Sequence, residues 1–201
     1  MSWIRSIPYV KAEGELKEIY DRIRGRDEYL DNIVTVHGLR PHTLKGHMEL
    51  YKGVLHHRGN TLPVWMLEAL GVRVSQLNGC EYCVRHHTEG LRRLLGTDEL
   101  AHRVCEALES GTTVTVLDSR EASIFRYAEA LTLRPQKSLT DHVAELRQAG
   151  LDDGEILEIN QVVSYFAYAN RTVLGLGVTA EGDQLGLSPG NTDNPEDWAH
   201  G

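Results

Sequence analysis

The apolar residues of this chain recur at helical spacing along most of its length. Between residues 13 and 24, Leu16, Ile19, Tyr20 and Ile23 stand at i, i+3, i+4 and i+7, which places them on one face of an amphipathic helix. Similar stripes follow in later segments, and no stretch alternates apolar and polar residues convincingly for more than a few positions. The pattern therefore predicts an all-α protein.

Helix boundary signals divide this pattern into about eight or nine helices. Gly25 and the pair Asn78-Gly79 are expected to end helices, because these residues readily adopt positive φ. Asp152 and Glu155 have the spacing of a capping box in front of a long apolar helix. The β-branched run 112–116 is too short and isolated to predict a sheet, and we expect it to be a linker.

The helical pattern spans residues 1–178 and predicts a single domain, in which residues 61–96 carry the chemistry. Residues 179–201 are rich in Gly, Asp, Asn and Pro and are expected to form a polar surface tail, with Trp198 as a candidate anchor. The segment 156–178 carries apolar residues on more than one face, which predicts a homo-oligomer.

The charge of the chain excludes several classes of partner. Lys and Arg number 21 against 29 Asp and Glu, which gives a formal net charge of -8. This sign argues against binding to nucleic acid or to an anionic membrane surface. No segment approaches the roughly 20 uninterrupted apolar residues of a membrane-spanning helix, and the N-terminal segment lacks the apolar core of a signal peptide. We therefore expect a cytoplasmic protein.

Two of the three cysteines stand in a pattern that suits thiol chemistry. An odd number of cysteines in a reducing compartment argues against a structural disulfide framework. Cys80, Cys83 and His87 fall on one face of a helix that begins near residue 80, and its N-terminus favours a thiolate. Because His87 is one turn beyond Cys83, its imidazole can reach that sulfur. Cys105, in contrast, is predicted to be a small core residue.

Glu68 completes a candidate redox site. It lies on the preceding helix, and the turn at residues 78–79 allows the two helices to pack side by side. A carboxylate there can hold the far nitrogen of His87, which would orient an imidazole beside a thiol. With Cys80 and Cys83 one turn apart, an oxidised sulfur can be resolved as a disulfide by the second thiol.

The pattern Glu68-x11-Cys80-x2-Cys83-x3-His87 resembles the signature of the alkylhydroperoxidase D (AhpD) family in the carboxymuconolactone decarboxylase superfamily. The likeness covers residues 5 to 178, and the wider chain resembles an uncharacterised branch of peroxidase-related proteins. The matching segments are Ser6-Ile-Pro-Tyr9, residues 75–84, Tyr165-Phe166, Asn170-Arg171 and residues 175–177.

This resemblance implies an all-helical, oligomeric, AhpD-like fold and a thiol-dependent peroxidase that acts on hydrogen peroxide or organic hydroperoxides. It also implies that a dithiol partner returns the electrons and that no cofactor or metal takes part. By the same resemblance, Glu68 and His87 form a proton relay, Cys83 attacks the peroxide, and Cys80 closes the redox disulfide.

Three further residues are candidates for contacts around this site. Tyr82 stands where the best-studied members of the family have a histidine, and His86 adjoins His87, so both are candidates to modify proton delivery or substrate shape. Arg171 lies in an apolar run and must find a partner or water. It is expected to contact Glu68 or substrate, or else to form an ion pair at a helix end or between subunits.

Two other functions stay open. A decarboxylase or isomerase of the same superfamily would use Glu68 and His87 as acid and base and would not need the cysteines. A redox sensor or a zinc-binding module could use Cys80, Cys83 and His87, although no second ligand pair is present.

The remaining single histidines are expected at the surface by default: His42, His47, His56, His57, His102 and His142.

Overall fold

The computed structural model describes residues 2–25, 28–96, 99–112 and 117–201. In these ranges the regular structure is helical, which confirms the predicted all-α fold for the described part of the chain. Of the expected linker at 112–116, residues 113–116 lie outside these ranges. After a 3-10 turn at Tyr9–Lys11, the helices are α1 (Gly14–Ile23), α2 (Asn32–His37), α3 (Pro41–Leu55), α4 (Val64–Leu77), α5 (Glu81–Leu95), α6 (Glu99–Ser110), α7 (Ser119–Leu133), α8 (Thr140–Gln148) and α9 (Asp153–Leu176).

Local capping chemistry sets the ends of the longest helix and of α7. The Asp152 carboxylate accepts the Glu155 backbone N–H at 2.8 Å, and the Glu155 carboxylate accepts the Asp152 N–H at 3.0 Å. The predicted capping box at the start of α9 is therefore confirmed. Gly177, at φ 62°, ends the same helix in the left-handed conformation. Asp118 caps α7 in a similar way, through the Glu121 N–H at 2.8 Å.

None of the helices in the described ranges is long and apolar enough to cross a lipid bilayer.

Helix α4 lies at the centre of the molecule and packs against α5, α7 and α9. Leu67 and Leu70 on this helix are fully buried. Gly71 allows α9 to approach closely, because a Cβ atom at this position would lie 2.2 Å from the ring of Phe166. This approach holds α9 against the part of α4 that precedes the cysteines.

A tight turn reverses the chain between α4 and α5. Gly79 adopts φ 67°, and its N–H donates to the Gln76 carbonyl at 3.0 Å. The Cys80 N–H then donates to the Ser75 carbonyl at 2.9 Å. The turn packs α5 back against α4, as the Asn-Gly pair predicted, so residues late in α4 face residues early in α5.

Residues 179–201 differ from the expected surface tail, because they pack over the helices. Trp198 is only 1% exposed, and the Arg22 guanidinium lies 3.7 Å from the centre of its ring. The His200 N–H donates to the carbonyl of Ile23, the last residue of α1, at 3.0 Å. One large aromatic side chain buries enough apolar area to hold a segment that has no helical periodicity of its own.

Candidate functional site

A small cavity of about 50 Å³ lies between α3, α4, α5, α9 and the C-terminal segment. This volume holds about three or four water molecules, so the space fits a molecule of a few heavy atoms. Its walls combine acids, imidazoles, hydroxyls and one thiol. The polar residues that line it are Asp31, His47, Tyr51, Glu68, Tyr82, Cys83, His86, His87, Tyr165, Ser188 and His200.

The two cysteines of the C-x-x-C pair face each other at the start of α5. Cys80 immediately precedes the helix, Cys83 lies in its first turn, and their sulfur atoms are 3.3 Å apart. Both are free thiols with buried side chains. Cys83 lines the small cavity, whereas Cys80 lines a second pocket of about 430 Å³. The two cysteines are therefore in contact through their sulfurs but border different spaces.

The hydrogen bond between the thiols separates their acidities. Either thiol can donate while both are protonated, but once Cys80 ionises only the Cys83 thiol can donate to it, and this bond lowers the pKa of Cys80 to about 7, with further help from the charge of His87. The same bond, followed by burial, raises the pKa of Cys83 well above its ordinary value. The pair as a whole thus loses its first proton near neutral pH, and the remaining proton lies between the two sulfurs.

Glu68 and His87 meet as the spacing predicted. The Glu68 carboxylate is buried, and its Oε2 lies 2.7 Å from Nδ1 of His87. Burial alone would raise the pKa of Glu68, but the charge and hydrogen bond of His87 outweigh it, so that pKa lies below its ordinary value. Because an ionised carboxylate only accepts hydrogen bonds, Nδ1 of His87 is the donor and Nε2 is the nitrogen left for other partners. In the described part of the chain, no hydrogen bond joins His87 to either sulfur.

Tyr82 and His86 both reach a carboxylate from the C-terminal segment. The Tyr82 hydroxyl donates to Oδ2 of Asp183 at 2.9 Å and accepts the Ile33 N–H at 3.3 Å. Nε2 of His86 lies 3.2 Å from the same Asp183 oxygen, and the two rings stack with their centres 4.5 Å apart. Both residues line the cavity beside Cys83 and so lie where the sequence placed them.

Asn170, not its neighbour Arg171, points toward the cysteines. The Arg171 guanidinium is exposed and donates to the carbonyl of Ala167 on its own helix at 2.7 Å, so it makes no contact with Glu68. Asn170 is fully buried, donates to Oγ of Ser75 at 3.0 Å and accepts from Asn78 at 2.9 Å. Its amide lowers the pKa of both thiols as one of the smaller contributions.

Two histidines that were expected at the surface are buried beside the site. Nε2 of His56 lies 3.4 Å from Oε1 of Glu68, and burial lowers the pKa of His56 to about 4. Burial lowers the pKa of His47 to about 3. His47 continues the α3 stripe of Leu44 and Tyr51 at i+3 and i+7, and that spacing is a signal that could have placed it inside. His56 follows the end of the helix, where the sequence carries no comparable signal.

A second group of potential ligands lies beside the same cavity, with Asp31 and His86 in its lining and Asp183 in contact with His86. Asp31, His86 and Asp183 each bring one side-chain atom within 4.8 Å of the other two, and His200 approaches Asp31 with a 3.3 Å separation between Nδ1 and Oδ2. Within the described ranges this is the only group of three metal-ligating residue types that meets this distance. The zinc site considered for the cysteine pair and His87 is therefore not assembled in this part of the chain.

Comparison with known sequences connects this site to a family. Residues 41–130 match the sequence model of the carboxymuconolactone decarboxylase family, and this stretch contains Glu68, Cys80, Cys83 and His87. The uncharacterized protein YdfG of Bacillus subtilis (strain 168) is 23% identical over 110 residues, which are 55% of this chain and 72% of that protein.

Solved structures share the fold at low sequence identity. An uncharacterized peroxidase-related protein from Ralstonia eutropha JMP134, described as an alkylhydroperoxidase AhpD core, has a TM-score of 0.76 at 16% identity, over 89% of this chain and 91% of its own. A peroxidase-related protein from Silicibacter sp. TM1040 has a TM-score of 0.73 at 21% identity, over 87% and 90%.

The debrominase Bmp8 has a TM-score of 0.69 at 19% identity, over 87% of this chain and 89% of its own. A variant of Bmp8 in which a cysteine is replaced by alanine has been crystallised with 2,3,4-tribromopyrrole. At these identities the likeness to solved structures shows the fold alone. Together with the family match over residues 41–130, it supports the resemblance to the AhpD/carboxymuconolactone decarboxylase superfamily.

Proposed function

We propose that this protein is a thiol-dependent peroxidase that cycles Cys80 and Cys83 between a dithiol and a disulfide. One observation carries the proposal: the two free thiols lie 3.3 Å apart, and one of them lines a cavity that also holds the bonded pair Glu68 and His87. The fold shared with peroxidase-related proteins supports it. The substrate class is hydrogen peroxide or a small organic hydroperoxide.

The first step oxidises Cys83, because Cys83 is the cysteine that faces the cavity. In the singly ionised pair, transfer of the shared proton from Cys83 to Cys80 places the thiolate on the cavity side. That thiolate attacks one peroxide oxygen, the O–O bond breaks, and Cys83 becomes a sulfenic acid. The leaving oxygen takes up a proton and departs as water or an alcohol, so the peroxide receives two electrons from the sulfur.

The bonded pair of Glu68 and His87 supplies that proton. With Nδ1 of His87 held by Glu68 at 2.7 Å, Nε2 is the nitrogen that can exchange a proton with a molecule in the cavity. The buried carboxylate stabilises the imidazolium and fixes the ring orientation, as in other acid-oriented histidines. His87 therefore acts on the substrate and its leaving group, and the proton exchange between the sulfurs needs no direct contact with His87.

The second step closes the disulfide. The Cys80 thiol attacks the Cys83 sulfur, the S–O bond breaks, and the hydroxyl leaves with the thiol proton as water. A dithiol reductant then returns two electrons and two protons. Cys80 is fully buried in this state but borders the larger pocket of about 430 Å³, so we expect a reductant to approach the disulfide from that side and not through the substrate cavity.

A debrominase reaction is a second candidate, since Bmp8 shares the fold. A dithiol can in principle remove bromide from an aromatic ring and end as the same disulfide. The cavity beside Cys83 and His87, about 50 Å³, is, however, far smaller than the roughly 300 Å³ at which pockets for drug-sized ligands begin. Peroxide fits without rearrangement, so the geometry favours the peroxidase.

A decarboxylase of the carboxymuconolactone class is the third candidate, and the name of the matching family motivates it. It would use Glu68 and His87 as acid and base, with no electron transfer. The cysteines separate the two reactions, because Cys80→Ser would leave turnover of a decarboxylase intact and would stop a dithiol cycle.

The test is peroxide consumption by the reduced protein in the presence of dithiothreitol. We expect Cys83→Ser to lower the rate by about 100-fold or more, because the attacking thiolate is lost. Cys105→Ser makes the same chemical change on α6, away from the cavity, and should leave the rate unchanged. Equal rates for the wild type and Cys83→Ser would contradict the proposal.

A further inference from the structure

A set of ligand atoms that the peroxidase cycle does not use lies beside the cavity. Asp31 lies just before α2, His86 lies on α5, and Asp183 belongs to the C-terminal segment. Although they come from distant parts of the chain, each offers one ligand atom within 4.8 Å of the other two. All three side chains are at least nine-tenths buried, so the fold holds them together in a dry environment.

Two polar atoms beside this set have no hydrogen-bond partner. Oδ1 of Asp31 is buried and unpaired in the described structure, although its second oxygen lies 3.3 Å from Nδ1 of His200. Nε2 of His200, also buried on the cavity wall, is unpaired as well. A buried carboxylate oxygen without a donor costs free energy, so these atoms indicate a missing partner that interacts with lone pairs.

The charges around the cavity also indicate that a positively charged partner is missing. Asp31 and Glu68 line it, and Asp183 contacts two more of its lining residues, His86 and Tyr82. Among the described residues of the lining, none is a lysine or an arginine. Neighbouring carboxylates in a buried space repel each other unless a cation or a proton compensates them. A bound cation would satisfy the free lone pairs and reduce this repulsion.

We propose that Asp31, His86 and Asp183 bind a divalent transition-metal ion beside the cavity. Two carboxylate oxygens and one imidazole nitrogen suit the class of Zn²⁺, Mn²⁺ and Fe²⁺, whereas Ca²⁺ and Mg²⁺ prefer oxygen ligands throughout. Three protein ligands leave at least one coordination position open, and His200, whose Nδ1 lies 3.3 Å from Oδ2 of Asp31, orients one of the three ligands.

The surroundings of Asp183 suit the support of such a site. The Tyr29 hydroxyl donates to Oδ1 of Asp183 at 2.8 Å, and the Tyr82 hydroxyl donates to Oδ2 at 2.9 Å. Hydrogen bonds of this kind orient carboxylates that bind metals. Nε2 of His86 lies 3.2 Å from Oδ2 of Asp183, so the metal would replace the proton between these two atoms. The inference goes beyond the peroxidase cycle, which needs no metal.

The experiment is titration of the protein with Zn²⁺, followed by calorimetry and by metal analysis after desalting. The double variant Cys80→Ser/Cys83→Ser is titrated beside the reduced wild type, so that zinc held by thiolates is recognised. We expect one Zn²⁺ per chain in both proteins. Loss of an outer contact of a metal site weakens binding by 10- to 100-fold, so we expect loss of a ligand in Asp31→Asn or Asp183→Asn to weaken it by about 100-fold or more.

Asp193→Asn is the matched control, because Asp193 is an exposed carboxylate of the same C-terminal segment, 3.8 Å from Arg58. Its zinc affinity should equal that of the wild type. Circular dichroism melting shows which variants fold, and if Asp183→Asn unfolds, Asp31→Asn decides the question. Absence of zinc in the wild type, loss of zinc with the cysteines, or equal affinity of Asp31→Asn and Asp193→Asn would each overturn the inference, whatever the protein does with peroxide.

Discussion

Cys80 and Cys83 divide two tasks between them. The hydrogen bond from Cys83 makes Cys80 the more acidic thiol, with a pKa of about 7, while Cys83 is the sulfur that faces the cavity. The two sulfurs share one proton. Its transfer across the 3.3 Å contact moves the negative charge from Cys80, the more acidic thiol, to Cys83, the thiol at the cavity. A single thiol buried at the position of Cys83 would be a poor nucleophile near neutral pH.

The pH at which the thiolate forms tests whether Cys80 and Cys83 share one proton. The pKa of Cys80 is lowered, so the pair is ionised above about pH 7 and neutral below it. The ultraviolet absorbance of thiolate and the rate of reaction with one equivalent of peroxide should both rise through that pH. Cys83→Ala removes the hydrogen-bond donor, and we expect the midpoint of Cys80 to move up toward about 8.5. A wild-type midpoint already near 8.5, unchanged in Cys83→Ala, would contradict the shared proton.

The residues that the sequence predicted for the redox site are those that lie close together along the chain or on the adjacent helix. Glu68, Cys80, Cys83 and His87 could be found because helical spacing and one tight turn bring them together. Other residues of the cavity come from distant segments, and no local pattern marks them. These are Asp31 and His200, which line the cavity, and His56 and Asp183, which contact its lining residues Glu68 and His86.

The helices position the site through two close contacts. The turn at residues 78–79 sets α5 against α4, and Gly71 admits the Phe166 ring of α9. That ring also meets the His87 ring edge-on, with 4.7 Å between their centres. Helix ends were largely predictable, because capping residues act locally, as at Asp152. The contact at Gly71 was not, because a glycine inside a helical pattern does not say which side chain will pack on it.

Two glycine substitutions test the contact between α4 and α9. Gly71→Ala places a Cβ 2.2 Å from Phe166, so we expect it to lower the free energy of unfolding by about 1–3 kcal/mol and to displace His87, with reduced peroxide consumption. Gly53→Ala is the matched control on α3, where no atom of the described residues lies within 4 Å of the added Cβ, and it should stabilise the fold by up to about 1 kcal/mol. Urea unfolding measures both. Equal changes in the free energy of unfolding for Gly71→Ala and Gly53→Ala would show that α4 and α9 do not pack closely at Gly71.

The C-terminal segment closes the molecule over the cavity. Gly186, Leu187, Ser188 and His200 all belong to its lining, and buried Trp198 holds the segment in place. Its composition predicted a surface tail, because contacts made by turns and single side chains leave no periodic pattern in the sequence. The segment thus limits the size of the cavity, a property that the redox motif alone does not specify.

Removing the anchor should change both stability and substrate range. We expect Trp198→Ala to cost about 3–5 kcal/mol in the free energy of unfolding, because a fully buried ring is lost. If the variant folds, the ratio of activity on cumene hydroperoxide to activity on hydrogen peroxide should rise. Trp3→Ala is the matched control for stability, since Trp3 is 79% exposed. An unchanged substrate ratio in folded Trp198→Ala would refute the limiting role of the segment.

Exposed apolar side chains on α9 suggest how copies of the chain associate. Leu157, Tyr168 and Leu174 remain exposed on this helix, whose opposite side is covered by α3, α4, α7 and α8. We predict that a second copy of the chain covers part of this surface. Light scattering coupled to gel filtration should give a mass that is a multiple of one chain, and a monomer at micromolar concentration would contradict the prediction.

Peptide mapping tests most directly the central claim, that Cys80 and Cys83 form one two-electron couple driven by peroxide. The reduced protein is treated with one equivalent of hydrogen peroxide, and its peptides are analysed by mass spectrometry without reduction. We predict a linked pair, about 2 Da lighter than the dithiol, and in Cys80→Ser a sulfenic acid on Cys83 that dimedone traps. Both thiols remaining free, or oxidation confined to Cys105, would contradict the account.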